Sequence, residues 1–262
     1  LVWEMILASF GLARRLFDSS EQRQLFKARL LPLTAPHVKA LTWEEAADED
    51  YFTTLRRPML LGTAGWAGDD GVESEALSRF ESAKRIEDLK PDLRSVIFGA
   101  VGRRALEADF EKLLGWYKVA EAPHAKSSLV GAMTGFKDAK LFSQLIELVK
   151  NPKLVRKQDY IQWLANLTYN PEFRDQTVAW VYENWQWIEE QIGDDLLSMS
   201  YIPKILAGAI QTEAGLETYN DFFNKVKTPA LKRPIAQGAE TIKWQVKVYS
   251  HNLATINSWL GL

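Results

Sequence analysis

Apolar residues recur at the spacing of an α-helix along almost the whole chain, and no stretch shows the sustained alternation of a half-buried β-strand. Short polar or Gly- and Pro-containing breaks separate the periodic segments, among them "AGDDGVE", "EDLKPD", "TYNPEF" and "KTPALKRP". These breaks leave helices of roughly three to five turns joined by short loops, so that successive helices run antiparallel. The sequence therefore predicts an all-α fold.

Helix start signals support this prediction. Ser19 followed by Gln22 and Asp159 followed by Gln162 each predict a capping box, in which two side chains satisfy free amide groups at the start of a helix. Pro171 is expected in the first turn of a helix, where its missing amide is tolerated.

The segment from Asn170 to Gly193 is predicted to form a helix with two apolar faces. On a helical wheel one stripe contains Val178, Val181, Trp185, Ile188 and Ile192. Trp180 and Trp187 fall together on a flank away from that stripe. A helix in a two-layer solenoid needs two such faces, because it contacts its hairpin partner and the next repeat. We therefore expect antiparallel helix pairs stacked into an α-α superhelix of the HEAT or armadillo type, with repeats of roughly 40 residues.

Composition excludes several classes of function. The formal net charge is -2 and the basic residues are scattered, which argues against a nucleic-acid partner. No apolar run approaches the roughly 18 residues that a membrane-spanning helix needs, so no membrane partner is expected. The chain has no cysteine, which favours a reducing compartment and a cytoplasmic location.

No motif for a metal or a phosphate is found. The chain has 3 histidines, His37, His124 and His251, and no two of them have the i, i+4 spacing of paired zinc ligands. Each is expected to be a solvated or capping residue. "GTAGWAGDDG" lacks the lysine of a P-loop, and a Gly-x-Ser-x-Gly elbow is absent. We expect neither a catalytic site nor a cofactor in this chain.

One long stretch resembles a known family. "KLVRKQDYIQWLANLTYNPEFRDQTVAWVYENW", residues 153–185, is similar to the C-terminal helical domain of the aminopeptidase N family of zinc metallopeptidases, which includes the endoplasmic-reticulum aminopeptidases. Segments in the same order extend the resemblance, from "VWEMI" at the start through "KPDLRSVIFGAVGR" to the closing "ETIKWQVKVYSHNLATINSWL". Nearly the whole chain is covered.

The resemblance implies a division of labour. In that family the zinc, its ligands and the amine-binding motif belong to a preceding catalytic domain, and the C-terminal domain is a lid that encloses the cavity and restricts peptide access. Residues 1–262 would then form a single helical-repeat domain that lacks its first few helices and the catalytic domain. The expected partners are the upstream catalytic domain and a peptide substrate. The chain alone is expected to be inactive as an aminopeptidase.

Two arginines beside helix ends are candidates for contact with peptide or with the catalytic domain. Arg156 and Arg174 could hold the C-terminal carboxylate of a peptide. The alternative favoured by local spacing is that Arg156 pairs with Asp159 or with loop carbonyls, and that Arg174 pairs with Asp175 or Glu172 in solvent. Asp159 is itself expected to cap a helix.

Two aromatic residues near these arginines could line a cavity. Trp163 and Tyr169 have helical spacing with Leu164 and Leu167, which favours the core for both.

A different class of function stays open at this point. The chain could be an independent helical-repeat scaffold that binds a protein partner on its concave face. The sequence upstream of Leu1 in the parent gene distinguishes the two, because a zinc motif there indicates the peptidase.

The first helix carries a further expectation. If a repeat partner is missing before Leu1, the apolar face formed by Val2, Ile6, Phe10 and Phe17 is uncovered, which favours self-association through this end.

Overall fold

A computed structural model of the chain describes residues 2–13, 17 and 19–262. These residues form fourteen α-helices and no β-strand, which confirms the predicted all-α class. The helices are α1 (Val2–Ala13), α2 (Ser20–Ala40), α3 (Tyr51–Ala67), α4 (Asp70–Ser82), α5 (Arg94–Arg104), α6 (Glu107–Val119), α7 (Pro123–Thr134), α8 (Leu141–Lys150), α9 (Tyr160–Tyr169), α10 (Arg174–Glu183), α11 (Trp185–Ile192), α12 (Leu196–Ala209), α13 (Glu213–Phe223) and α14 (Lys232–Leu260).

The predicted start signals are partly confirmed. The capping box before α2 is present, since the Gln22 amide donates to Ser19 Oγ at 3.0 Å and the Ser19 amide donates to Gln22 Oε1 at 3.3 Å. The prediction for Pro171 is wrong, because α10 begins only at Arg174. Between Pro171 and Arg174 the chain forms a turn, in which the amides of Phe173 and Arg174 donate to the Asn170 carbonyl.

The chain divides into two compact units, of which the first comprises Leu1–Phe136 and Thr255–Leu262. Within it α3 packs against α5 and α5 against α7, so alternate helices lie side by side. The intervening helices pack back onto them, α4 onto α5 and α6 onto α7. α5 and α7 meet closely at Gly102, where a Cβ atom would lie 2.7 Å from the Gly135 carbonyl oxygen. Only glycine permits this approach.

One core cluster of the first unit joins the early helices to the end of the chain. Its buried members are Phe17, Phe26, Leu30, Ala67 and Leu260. A hydrogen bond of 2.8 Å from Gln22 Nε2 to Asn257 Oδ1 also connects α2 to the last turns of α14. Phe10 packs against the cluster, so the inner side of α1 is covered.

The second unit comprises Lys137–Ala254. Here α9 packs beside α12, α10 contacts both of these helices, and α11 contacts α12. Tyr219 of α13 connects further elements, because its hydroxyl lies 3.3 Å from the Pro203 carbonyl of α12 and 3.1 Å from the Ile235 carbonyl of α14. A Cβ atom at Gly238 would collide with that hydroxyl. A glycine in α14 thus gives Tyr219 room to make its bonds.

The segment predicted as one helix forms two, α10 and α11, with a break at Asn184. Both the backbone amide and the side-chain amide of Asn184 donate to the Trp180 carbonyl at 2.9 Å. The Asn184 carbonyl accepts from the Ile188 amide at 3.0 Å and so begins α11. The single-helix prediction is wrong because an asparagine side chain competes for backbone groups and allows a non-helical conformation, here φ -112° and ψ 23°.

Both predicted apolar faces of this segment are nevertheless packed. Trp185 is 8% exposed, and its ring meets those of Phe222 and Phe223 edge-on, each at 5.6 Å between centroids. On the other side Trp180 is buried and meets the Trp187 ring at 5.7 Å, and the Trp187 ring stacks on that of Tyr160 of α9 at 5.6 Å. Two faces of aromatic residues are therefore covered by different neighbours.

Candidate functional site

Arg156 lies in the connection between α8 and α9, directly before a short 3-10 helix (Lys157–Asp159). The connection is fixed from within, because the Val155 amide donates to the Asn151 carbonyl at 2.9 Å and the Val155 side chain is buried. Arg156 Nε and Nη2 donate to the two carboxylate oxygens of Asp159 at 2.7 and 3.1 Å. The expected pairing of Arg156 with Asp159 is confirmed.

The predicted capping role of Asp159 is wrong. Asp159 directly precedes α9, but its side chain makes no capping hydrogen bond, and both oxygens accept from Arg156. The physical reason is the backbone. The short 3-10 helix runs straight into α9, so Asp159 already has helical dihedral angles (φ -92°, ψ -10°), whereas a capping residue needs an extended backbone. The capping box with Gln162 is therefore absent.

Arg174 is the first residue of α10. It follows a turn in which the amides of Phe173 and Arg174 donate to the Asn170 carbonyl at 3.0 and 2.9 Å. Phe173 is fully buried and anchors the turn. Arg174 is half-buried, whereas Glu172 and Asp175, the carboxylates expected to pair with it in solvent, are exposed. The Arg174 side chain is therefore attached at the first residue of α10, next to a buried residue of the second unit.

The two aromatic residues of α9 have different environments. Trp163 is fully buried, which confirms the prediction of a core position. Tyr169 is 46% exposed, so the same prediction is wrong for this residue. Tyr169 is the last residue of α9, and its ring extends over α12, where a Cβ atom at Gly208 would lie 3.5 Å from Tyr169 Cε1. The absence of a side chain at Gly208 leaves space for the ring.

α12 presents a row of exposed residues beside Tyr169. Leu197 is 68% exposed and Tyr201 is 46% exposed, and the exposed Lys204 follows one turn later. The spacing of i, i+4, i+7 and i+11 places these three residues and Gly208 on one side of the helix. We call this set, with Tyr169, the α12 face. Sequence reasoning missed it, because α12 has apolar residues on all sides and the spacing does not reveal which side faces solvent.

The carboxylate of Asp195 caps the N-terminal end of α12. Asp195 Oδ1 accepts from the amides of Leu197 and Ser198, each at 3.1 Å, and so caps α12. The hydrogen bond from the Ser198 hydroxyl, followed by these backbone bonds, lowers the pKa of Asp195 below its ordinary value. The N-terminal end of α12 thus has a negative charge at Asp195, and the α12 face has a positive charge at Lys204.

Two tyrosines whose rings contact Phe223, Tyr182 of α10 and Tyr219 of α13, have raised pKa values. Burial raises the pKa of Tyr182 to about 12. The pKa of Tyr219 is raised further, first by burial and then by the proximity of Tyr182. Both phenols therefore keep their protons in the physiological range.

The side chains that could bind a metal are scattered among the described residues, and the zinc of the family is expected in the preceding catalytic domain rather than here. His37, His124 and His251 are exposed and lie on three separate helices, α2, α7 and α14. Within the described residues, no group of three or more His, Asp or Glu side chains could hold a metal ion. In the same part of the chain, no helix is both long and apolar enough to span a bilayer.

The described residues thus form an all-α domain whose α12 face is exposed. Residues 1–243 match the family described as the ERAP1-like C-terminal domain, and the chain belongs to this family. This confirms the resemblance seen in residues 153–185.

Several curated relatives are aminopeptidases. The chain is 24% identical over 242 residues to aminopeptidase N of Lactobacillus delbrueckii subsp. lactis, with 91% of the chain and 29% of that protein covered. It is 23% identical over 267 residues to glutamyl aminopeptidase of Mus musculus, with 100% of the chain and 28% of that protein covered. Aminopeptidase M1 of Arabidopsis thaliana is 24% identical over 208 residues, which cover 77% of the chain and 23% of that protein. The chain thus spans less than a third of the length of these relatives.

Proposed function

We propose that the chain is the non-catalytic lid of a zinc aminopeptidase, which encloses the active-site cavity and restricts the peptides that enter. Its family membership and the names of its relatives support this role. Zinc and the hydrolytic step are assigned to a catalytic domain of the parent protein, the partner of this chain. Residues 1–262 are proposed to belong to one helical-repeat domain, and the cytoplasmic location stays a prediction.

The packing of alternate helices supports the solenoid part of the proposal. In the first unit α3, α5 and α7 follow one another side by side. In the second unit α9 packs beside α12 in the same way if α10 and α11, which together form the segment broken at Asn184, are counted as one helix between them. A stack of antiparallel helix pairs has this property, because every second helix belongs to the same layer. One layer of such a stack can present a continuous surface to a substrate.

The α12 face is the observation that carries the peptide-binding part of the proposal. Tyrosine rings provide apolar area together with a polar hydroxyl, and both Tyr169 and Tyr201 are about half exposed on one side of the second unit. Lys204 supplies a cation that can bind a peptide carboxylate. Arg156 and Arg174 remain candidates for contact with the peptide or with the catalytic domain.

The test uses the full-length parent enzyme with substitutions on the α12 face. Tyr201→Ser and Lys204→Ala are expected to lower kcat/KM for peptides of about ten residues by roughly fivefold or more, since each substitution removes a binding contact worth about 1 kcal/mol. Hydrolysis of a single-residue aminoacyl fluorogenic substrate should stay within about twofold, because such a substrate does not reach the lid.

Matched variants separate the α12 face from general damage. Leu106→Ser changes an exposed apolar residue of the first unit and should affect neither substrate. Arg156→Gln and Arg174→Gln test the two arginines with the same pair of substrates. If every variant leaves the kinetics with long peptides unchanged, the assignment of the peptide surface is wrong.

A second experiment tests whether the isolated chain lacks zinc and aminopeptidase activity, as the lid proposal requires. We expect no stoichiometric zinc by metal analysis and no amine release from aminoacyl fluorogenic substrates, because an open zinc site needs about three protein ligands. Zinc-dependent turnover by this chain alone would contradict the lid proposal, since it would require an active site within these residues.

A further inference from the structure

Gly208 lies at the contact between α12 and the ring of Tyr169. The helices α9 and α12 pack side by side in the second unit, and Tyr169 is the last residue of α9. A Cβ atom built at Gly208 would lie 3.5 Å from Tyr169 Cε1 and 3.9 Å from the Tyr169 hydroxyl oxygen. These are ordinary contact distances, so the methyl group of an alanine would fit against the ring. Atoms added beyond Cβ on that side would overlap with the ring.

The backbone of α12 does not itself require a glycine at this position. Gly208 is inside the helix, and its φ is not positive. Other residues can therefore adopt its conformation. A substitution at this position acts mainly through the side chain that it adds, and the nearest neighbour of that side chain is the Tyr169 ring.

The contact places the Tyr169 ring at one end of the α12 face. Lys204 and Tyr201 precede Gly208 at helical spacings, so all three residues lie on one side of α12. The Tyr169 ring covers Gly208 and continues this row, although it belongs to another helix. Tyr169 and Tyr201 are each 46% exposed. The size of the side chain at position 208 therefore controls where the second tyrosine ring of the face can lie.

We propose that Gly208 is a positioning residue for peptide binding, because a small side chain here allows the Tyr169 ring to lie against α12, in line with Tyr201 and Lys204, and to contact the peptide. The inference rests on the proposed function of the α12 face. Gly208 acts through Tyr169 rather than through a contact of its own. A valine at this position displaces the ring, since a β-branched side chain has two heavy atoms attached to Cβ and little rotational freedom in a helix.

The kinetic test uses the full-length parent enzyme with a long peptide and with the single-residue aminoacyl substrate. Gly208→Val and Tyr169→Ala should each lower kcat/KM for peptides of about ten residues by roughly fivefold, mainly through KM, and leave the short substrate within about twofold. Gly208→Ala should leave both substrates within about twofold, because its methyl group fits beside the ring. Gly208→Val added to Tyr169→Ala should have no further effect, since the ring through which it acts is absent.

A chemical probe measures the position of the ring without any peptide. Tetranitromethane nitrates tyrosine rings that solvent reaches, and peptide mapping compares Tyr169 with Tyr201, which has the same exposed fraction. The ratio of nitration at Tyr169 to that at Tyr201 should rise by up to about twofold in Gly208→Val, because a ring that is 46% exposed can at most double its exposure. It should keep its wild-type value in Gly208→Ala.

A matched control removes the effect of a β-branched residue in a helix. Gly115→Val makes the same change in α6, where a Cβ atom would have no atom within 4 Å, and should alter neither the kinetics nor the nitration ratio. Thermal melting verifies that every variant is folded.

Failure of this inference and failure of the proposed function give different results. If Tyr169→Ala weakens hydrolysis of the long peptide while Gly208→Val changes neither the kinetics nor the nitration ratio, the positioning role is wrong and the α12 face remains the peptide surface. An effect of Gly208→Val that persists in the Tyr169→Ala background also overturns the positioning role. If Tyr169→Ala, Tyr201→Ser and Lys204→Ala all leave the long peptide unaffected, the α12 face does not bind peptide, and both proposals fail.

Discussion

Tyr182 and Tyr219 lie in the same aromatic cluster, where both rings contact Phe223, but their hydroxyl groups differ. The Tyr219 hydroxyl is within hydrogen-bond distance of two carbonyls, at 3.1 and 3.3 Å. The Tyr182 hydroxyl is buried, and within the described residues it has no hydrogen-bond partner. We therefore expect opposite results from the same substitution. Tyr182→Phe should raise the free energy of unfolding by about 1 kcal/mol, and Tyr219→Phe should lower it by about 1 kcal/mol.

Thermal unfolding at neutral pH measures this difference, because phenylalanine keeps the ring in each variant. A gap of about 2 kcal/mol between the variants corresponds to a difference of roughly 4–8 °C in Tm for a chain of this size. A clear loss of stability in Tyr182→Phe would refute the reasoning, because it would mean that the hydroxyl forms a favourable bond.

The pH dependence provides a second criterion for Tyr182. Burial raises its pKa from 10.0 to about 12, so the folded state keeps a proton that the unfolded state releases. Below a pH of about 10 the Tyr182 phenol is protonated in both states and its ionisation does not affect stability. As the pH rises from about 10 towards about 12, ionisation of the unfolded state lowers the free energy of unfolding of the wild-type chain. The stability advantage of Tyr182→Phe should therefore increase in this range. An advantage that stays constant with pH would contradict the raised pKa.

Two further substitutions test the packing, each by denaturant unfolding. Trp185→Ala should cost about 3–5 kcal/mol, because Trp185 is buried against two phenylalanine rings, and a loss below about 1 kcal/mol would show that the ring contributes little. Gly102→Ala should cost at least about 1 kcal/mol, because its Cβ would meet the Gly135 carbonyl. The matched control is Gly115→Ala, because a Cβ atom at Gly115 would have no atom within 4 Å, and it should raise the free energy of unfolding by about 0.5–1 kcal/mol. Equal effects at the two positions would contradict the close approach of α5 and α7 at Gly102.

The helical fold could be predicted from the sequence, because a 3.6-residue period of apolar residues depends only on the helix itself. The start of α2 was also predictable, since the capping box at Ser19 is a local interaction. The break at Asn184 was not, because a helical wheel assumes a continuous backbone and does not include competition from a side-chain amide.

The candidate site was less predictable, for a different reason. The pairing of Arg156 with Asp159 follows from their spacing and was expected. The exposure of Tyr169 depends on where α9 ends and on a glycine in α12, both of which are properties of the packed structure. For the same reason the α12 face could not be predicted from the sequence, because apolar residues occur on every side of this helix.

The core cluster of the first unit has a consequence for synthesis on the ribosome. Phe26 and Leu30 emerge early, but they pack in a cluster that includes Leu260 of α14. Residues 137–254, which supply the second unit, are all translated before Leu260. Because a chain emerges from its N-terminal end, the early helices cannot complete this cluster until the last turns of α14 have left the ribosome.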